Sequence, residues 1–67
     1  MLTMRQWRLS KEITQKTMSE KLGVHINTYL NWEKDPGKIS IDHAKKISEV
    51  LGVPLDEIIF KAEPGET

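Results

Sequence analysis

The sequence predicts an all-α fold, a compact five-helix bundle that occupies residues 1–60 as one domain. Apolar residues recur at the three- and four-residue spacing of helices, and breaks containing glycine or proline separate these segments. No segment alternates apolar and polar residues as a half-buried strand does. With 67 residues, the chain has room for one small hydrophobic core and for no second domain.

Cap residues define the first two helices. Thr3 followed by Gln6 matches a capping box and predicts a first helix that extends to about residue 11. Thr14 is a favourable N-cap for a second helix. Gly23 ends that helix, since glycine adopts the positive φ that a C-terminal cap requires.

Similar signals define the other three helices. The third begins near Ile26 and stops at residues 35–37, an Asp-Pro-Gly break. Ser40 caps the fourth, which Gly52 closes. Pro54 favours the start of a short fifth helix.

The charges are balanced overall but distributed unevenly. Ten basic and ten acidic residues give a net charge of zero. Residues 1–38 hold seven Lys and Arg against four acidic residues, whereas residues 39–67 hold three against six. DNA-binding domains are usually basic, so the net charge alone argues against nucleic acid, while the asymmetry indicates two faces with different partners. The polar segment 61–67 lacks periodicity and is expected to be disordered.

Several classes of protein are excluded by what the sequence lacks. There is no cysteine for a disulfide or a thiolate zinc site, and no apolar run approaches the roughly 18 residues of a membrane span. We therefore expect a cytoplasmic protein with no membrane association. Two isolated histidines and the lack of a glycine-rich phosphate loop argue against an enzyme, a metal site, a cofactor or a small-molecule ligand.

The most informative feature is the pair of predicted helices at about residues 14–22 and 26–34. About three residues separate them, and a glycine lies at the break. Short amphipathic helices joined this tightly cross at a steep angle, as in the helix-turn-helix motif. The second helix of that motif lies in the major groove of DNA, with its N-terminal residues on the base edges.

Residues 4–60 resemble the Cro/CI-type helix-turn-helix domain of phage and bacterial repressors, the XRE family, whose fold is that of the lambda repressor DNA-binding domain. The stretches that match are Ile13-Thr14-Gln15, Ser19-Glu20-Lys21-Leu22-Gly23-Val24, Trp32-Glu33, Ile47, Leu51-Gly52-Val53 and Leu55-Asp56-Glu57. Each is weak alone, and their order and spacing together are specific.

The resemblance implies a role for each matched position. Gln15 corresponds to a glutamine that binds a DNA phosphate and braces the recognition helix, and Arg8 and Glu33 correspond to a salt bridge between the first and third helices. The positions implied to face DNA are Ile26, Asn27 and Asn31 at the bases, Thr28 at the backbone, and Lys34 and Lys38 in the loop beside the backbone.

The chemistry of these residue types supports the same roles. Asn27 and Asn31 are four residues apart on one helix face, and asparagine can bond adenine through two hydrogen bonds. Ile26 suits a thymine methyl group. Other interpretations remain open: Asn31 as a plain surface residue, Asn27 as a first-turn residue, Ile26 as a side chain packed on the fourth helix, Gln15 as a polar helix start, and Lys34 and Lys38 as solvated charges. Tyr29 belongs either to the core or, through its hydroxyl, to the DNA surface.

Three positions depart from the family pattern: Glu12, His25 and Ser19, which takes the place of a usual alanine. Glu12 stands where a glycine usually ends the first helix, so that turn is expected to be tight or strained. His25 stands where Ser or Thr usually caps the recognition helix; histidine is a poorer cap but could itself contact a phosphate or a base. The recognition helix contains no arginine, which predicts low non-specific affinity for DNA.

The function expected from these observations is sequence-specific binding of double-stranded DNA by a transcriptional regulator. We expect a small repressor that acts by promoter occlusion, because the chain has no ligand-binding domain. A homodimer on a pseudo-palindromic operator is expected, with Ile58, Ile59 and Phe60 as an apolar dimer interface. The alternative is a protein-interaction module, antitoxin-like or anti-repressor, on the same scaffold.

Overall fold

A computed structural model describes residues 1–60 of the protein, and the expected disorder of residues 61–67 lies outside the described residues. Over residues 1–60 the chain forms four α-helices and two very short strands: β1 (Leu2–Thr3), α1 (Met4–Ser10), α2 (Gln15–Leu22), α3 (Ile26–Lys34), α4 (Ile41–Leu51) and β2 (Ile58–Ile59). One 3₁₀ turn, Pro36–Lys38, joins α3 to α4, and another, Leu55–Glu57, precedes β2. The predicted helical fold is confirmed in four α-helices, and a short turn joins α2 to α3 as a helix-turn-helix requires.

The predicted caps lie at the observed helix ends. The Thr3 hydroxyl accepts a hydrogen bond from the Gln6 amide, and the Gln6 side chain accepts one from the Thr3 amide, which completes the capping box. The Thr14 and Ser40 hydroxyls cap α2 and α4 by accepting a hydrogen bond from the backbone amides of Thr17 and His43. Gly23 ends α2 with φ 72°, a conformation that costs other residues about 1–2 kcal/mol.

The prediction of a fifth helix is wrong. After Pro54 the chain makes only one 3₁₀ turn, which has no side-chain cap, and then extends. Ile58 and Ile59 pair in parallel with Leu2 and Thr3, so the expectation of no strands is wrong as well. Both isoleucines are β-branched and favour extended backbone, and β1 offers hydrogen-bonding groups that a short helix could not use.

The hydrophobic core lies between the helix-turn-helix, α1 and α4. Its buried members are Met4, Met18, Leu22, Tyr29, Trp32, Ile47, Leu51 and Ile58. The Trp7 indole donates a hydrogen bond of 2.9 Å to the Glu57 carbonyl, which attaches α1 to the turn before β2. This contact and the strand pair hold the two ends of the described chain together.

Two residues of the C-terminal apolar segment 58–60 pack in or against this core. Ile58 is only 5% exposed, and Phe60 packs against the core while keeping part of its surface exposed. Ile59 is also partly exposed. The predicted dimer interface therefore depends on Ile59 and Phe60, because Ile58 has little surface left for a second copy.

No helix within residues 1–60 is long and apolar enough to cross a membrane.

Candidate nucleic-acid interface

The outer face of α3 presents polar side chains to solvent. Asn27, Thr28, Asn31 and Lys34 are exposed, whereas the aromatic side chains of Tyr29 and Trp32 on the opposite face are buried. Tyr29 is fully buried, which assigns it to the core rather than to the DNA surface. The helix is therefore amphipathic, with its inner face fixed in the core and its outer face available to a partner.

Ile26 begins α3 and is partly exposed. Among residues 1–60, the partly buried apolar side chains that pack on the core do not include Ile26. Leu30, one turn further along, is also partly exposed and is likewise outside that set. Leu30 was not among the residues predicted for this face, although its i, i+4 spacing from Ile26 indicates a shared side of the helix.

His25 is the N-cap of α3 despite being an unusual residue for that position. Its Nδ1 accepts a hydrogen bond of 3.1 Å from the Asn27 backbone amide. An accepting Nδ1 carries no proton, so a neutral imidazole in this arrangement carries its proton on Nε2. The side chain is exposed and can offer that N–H to a phosphate or a base.

Gln15, the first residue of α2, is directed toward α3. Its Nε2 donates a hydrogen bond of 3.0 Å to Oε1 of Glu33. The side chain is partly exposed. This bond connects α2 to α3, and an amide nitrogen has a second N–H that a phosphate could accept.

Glu33 lies at the centre of a network formed with Arg8, Gln15 and Tyr29, called here the Glu33 network. Arg8 Nε lies 2.7 Å from Glu33 Oε2, and the two side chains are 7% and 6% exposed. The Tyr29 hydroxyl donates to the same carboxylate oxygen at 2.5 Å. One carboxylate on α3 is therefore bonded to α1, to α2 and to its own helix, and the predicted Arg8–Glu33 salt bridge is present.

The network changes the ionisation of its members. Burial favours the neutral acid at Glu33, but the hydrogen bonds from Arg8, Tyr29 and Gln15 outweigh it and hold the pKa of Glu33 below its usual value. Burial and the adjacent carboxylate raise the pKa of Tyr29. Burial opposes the charge of Arg8, yet Glu33 outweighs that effect and raises the pKa of Arg8. At neutral pH, the network thus contains a charged pair and a neutral phenol.

The turn between α1 and α2 supports the network. Glu12 has φ 57°, a left-handed conformation that is strained for a residue other than glycine, as its departure from the family pattern predicts. The next residue, Ile13, directs its carbonyl to Arg8 Nη1 at 2.8 Å. The strained turn thus provides a second acceptor for the buried guanidinium.

The basic residues near the end of α3 are exposed. Lys34 belongs to the last turn of the helix, where an amine can contact DNA backbone or remain solvated. Lys38 lies 3.7 Å from Asp35, and both side chains are exposed. Such a surface pair contributes little to stability, so Lys38 can exchange Asp35 for a phosphate at small cost.

Comparisons with known proteins agree with this geometry. A family model described as helix-turn-helix matches residues 4–58. The chain is 29% identical over 59 residues to the "Cryptic phage CTXphi transcriptional repressor RstR" of Vibrio cholerae, a match that covers 88% of this chain and 53% of that protein. The chain thus spans about half the length of this relative. No solved structure matches the present chain.

Proposed function

Because the chain belongs to the XRE family of helix-turn-helix proteins, we propose that it is a transcriptional regulator that binds a specific sequence of double-stranded DNA. The observation that carries this proposal is the outer face of α3. There, four exposed polar side chains lie on a helix whose inner face is fixed by the Glu33 network. A helix held this firmly presents its side chains in one geometry, which sequence-specific contacts require.

The contacts divide by position into base and backbone contacts. Ile26, Asn27 and Asn31 face the base edges, since the N-terminal part of a recognition helix enters the major groove. The backbone contacts come from Gln15, His25, Thr28, Lys34 and Lys38. This division gives affinity through phosphates and specificity through α3.

We propose that binding represses transcription by promoter occlusion. A domain seated in the major groove of a promoter excludes other proteins from the same DNA. The relative named as a phage transcriptional repressor supports repression as the direction of control. This role requires a location in the cytoplasm, where the DNA of a bacterial or phage genome lies.

Two copies are expected to bind together on a pseudo-palindromic operator. One copy has zero net charge and few phosphate contacts, so its affinity alone is low. Pairing through the partly exposed Ile59 and Phe60 would place two recognition helices on half-sites about one helical turn apart. Sedimentation of the chain, free and bound to DNA, tests this expectation, and a monomer in both states contradicts it.

Selection from a random duplex library, followed by a salt titration on the winning duplex, tests the function. We expect an enriched pseudo-palindrome and an affinity that falls steeply with salt, because phosphate contacts release counterions. Failure to enrich any sequence at low salt contradicts the proposal. It would favour the protein-interaction module, for which the neutral net charge and the acidic C-terminal half argue.

A further inference from the structure

The outer face of α3 divides into an amide row and an apolar row. Asn27 and Asn31 are separated by about 40° around the helix axis and lie opposite the buried Tyr29 and Trp32. Ile26 and Leu30 form a second row, also one turn apart, on the flank next to the asparagines. Thr28 lies on the other flank. The surface that faces a bound duplex thus has amides at its centre and two aliphatic side chains beside them.

Both asparagine side chains are available within the part of the chain that the structure describes. Within residues 1–60, the side-chain amides of Asn27 and Asn31 form no hydrogen bond, and both side chains are exposed. Ile26 and Leu30 keep part of their surface exposed and are outside the set that packs on the core. The two side-chain amides, and the exposed part of the two aliphatic side chains, are therefore available to a ligand.

The surface also lacks the usual means of reading guanine. Arg and Lys bind the guanine N7 and O6 acceptors, and the chain has neither residue type between Lys21 and Lys34. Lys34 belongs to the last turn of α3, away from the N-terminal part that reads bases. With His25 and Thr28 assigned to the DNA backbone, the side chains that remain are amides, which match adenine, and aliphatic groups, which match the thymine methyl.

We propose that this surface selects half-sites built from A·T base pairs, with adenine edges bound by Asn27 and Asn31 and thymine methyl groups packed against Ile26 and Leu30. The inference rests on the proposed DNA-binding function. Residues four apart lie about 6 Å apart along a helix, and base pairs are stacked about 3.4 Å apart. The two adenines are therefore expected roughly two base pairs apart within each half-site.

The selected duplex itself supplies the test. Replacing a contacted thymine by uracil removes only the 5-methyl group and should weaken binding about fourfold. Replacing a contacted adenine by 7-deazaadenine removes only the N7 acceptor and should weaken binding roughly 2- to 12-fold. Both changes are made in the DNA and measured with the unaltered chain, so misfolding of a variant cannot imitate the result.

Protein variants assign each loss to a residue. In Leu30→Ala or Ile26→Ala, the loss of affinity caused by uracil should fall below twofold at one thymine. Lys45→Ala, a change on the exposed side of α4, is the control and should leave that loss unchanged. In Asn27→Ala or Asn31→Ala, the 7-deazaadenine penalty should disappear at one adenine. Thermal unfolding of each variant checks that the helix is intact.

The possible outcomes separate the inference from the function on which it rests. An enriched pseudo-palindrome whose half-sites are defined by G·C pairs overturns the A·T assignment and leaves DNA binding standing. An A·T half-site that tolerates uracil and 7-deazaadenine without loss also overturns it. Failure to enrich any sequence, with no salt-dependent binding, overturns both the inference and the proposed function.

Discussion

The two faces of α3 differ in how they are bonded. The inner face holds a carboxylate, Glu33, that is bonded to Arg8, Gln15 and Tyr29 and shielded from water. The outer face holds Asn27 and Asn31, whose side-chain amides make no hydrogen bond within residues 1–60. The inner face determines where the helix lies, and the outer face determines what the helix can bind. Changes on the inner face should therefore affect stability, and changes on the outer face should affect affinity for DNA.

The largest expected effect is the loss of stability on removing the carboxylate from the inner face. Glu33→Ala leaves the buried guanidinium of Arg8 without its partner, which should lower the free energy of unfolding by about 3–5 kcal/mol. Urea denaturation measures the loss. Glu20→Ala removes an exposed carboxylate from α2 and is the matched control, with an expected change within about 0.5 kcal/mol. A loss below about 1 kcal/mol for Glu33→Ala would contradict the role given to the network.

Protonation of the same carboxylate should produce a smaller loss of stability. The pKa of Glu33 is lower in the folded protein than in the unfolded chain, so its contribution is complete above the usual glutamate pKa of about 4.3. As the pH falls below that value toward the folded pKa, the unfolded chain binds the proton first and stability decreases. Urea denaturation at several pH values measures this slope. Glu33→Gln should be less stable at neutral pH and should lack this part of the pH dependence; an identical pH profile would contradict the assignment.

On the outer face, Asn31→Ala should lower affinity for DNA without lowering stability. Losing a two-bond contact to one base should cost about 1–3 kcal/mol on the selected duplex and relax the preference at one position. Fluorescence anisotropy measures the affinity, and urea denaturation should show a change within about 0.5 kcal/mol. An unchanged base preference would remove Asn31 from the interface.

Glu12→Gly should increase the stability of the protein, in contrast to the changes at Glu33. Glycine accepts the positive φ at this position without strain, so the free energy of unfolding should rise by about 0.5–1 kcal/mol. Glu12→Ala keeps the strain and is the control, with no expected gain. Because the turn supports only the inner face, affinity for DNA should not change; a parallel change in affinity would show that the two faces are coupled.

The smallest effect is expected at the loop after α3. Lys38→Ala should weaken binding about equally for all DNA sequences and reduce the slope of log affinity against log salt by about 0.9, the value of one phosphate contact. Lys45→Ala, which removes a lysine from the exposed side of α4, should leave the slope unchanged. An unaltered slope for Lys38→Ala would identify Lys38 as a solvated charge.

The helices were predictable because each has a local signal at its ends. Thr3, Thr14, Ser40 and Gly23 mark boundaries through bonds or dihedral angles within a few residues of themselves. The Ile58–Ile59 strand was not predictable in this way, because its partner lies more than 50 residues away and the local pattern is also compatible with a helix. Two adjacent β-branched residues were the only local indication of extended backbone.

The candidate site was predictable in part for the same reason. The four-residue spacing of Asn27 and Asn31 places both on one face of any α-helix, independently of the tertiary structure. Whether Tyr29 lies in the core or at the surface could not be predicted from spacing. Its hydroxyl bonds Glu33, and the bonds of Glu33 to α1 and α2 exist only after folding. The spacing of Leu30 from Ile26 places the two on one side of α3, but only the folded core shows that neither side chain belongs to the set packed against it.

The most direct test of the account is a titration of the ¹⁵N-labelled chain with the selected duplex, followed by NMR. We expect the largest shifts at the side-chain amides of Asn27 and Asn31 and at the backbone amides of the first turn of α3, with a smaller shift at the Gln15 side chain. Shifts concentrated on α4 and on the turn before β2, with α3 unchanged, would contradict the claim that the outer face of α3 binds DNA.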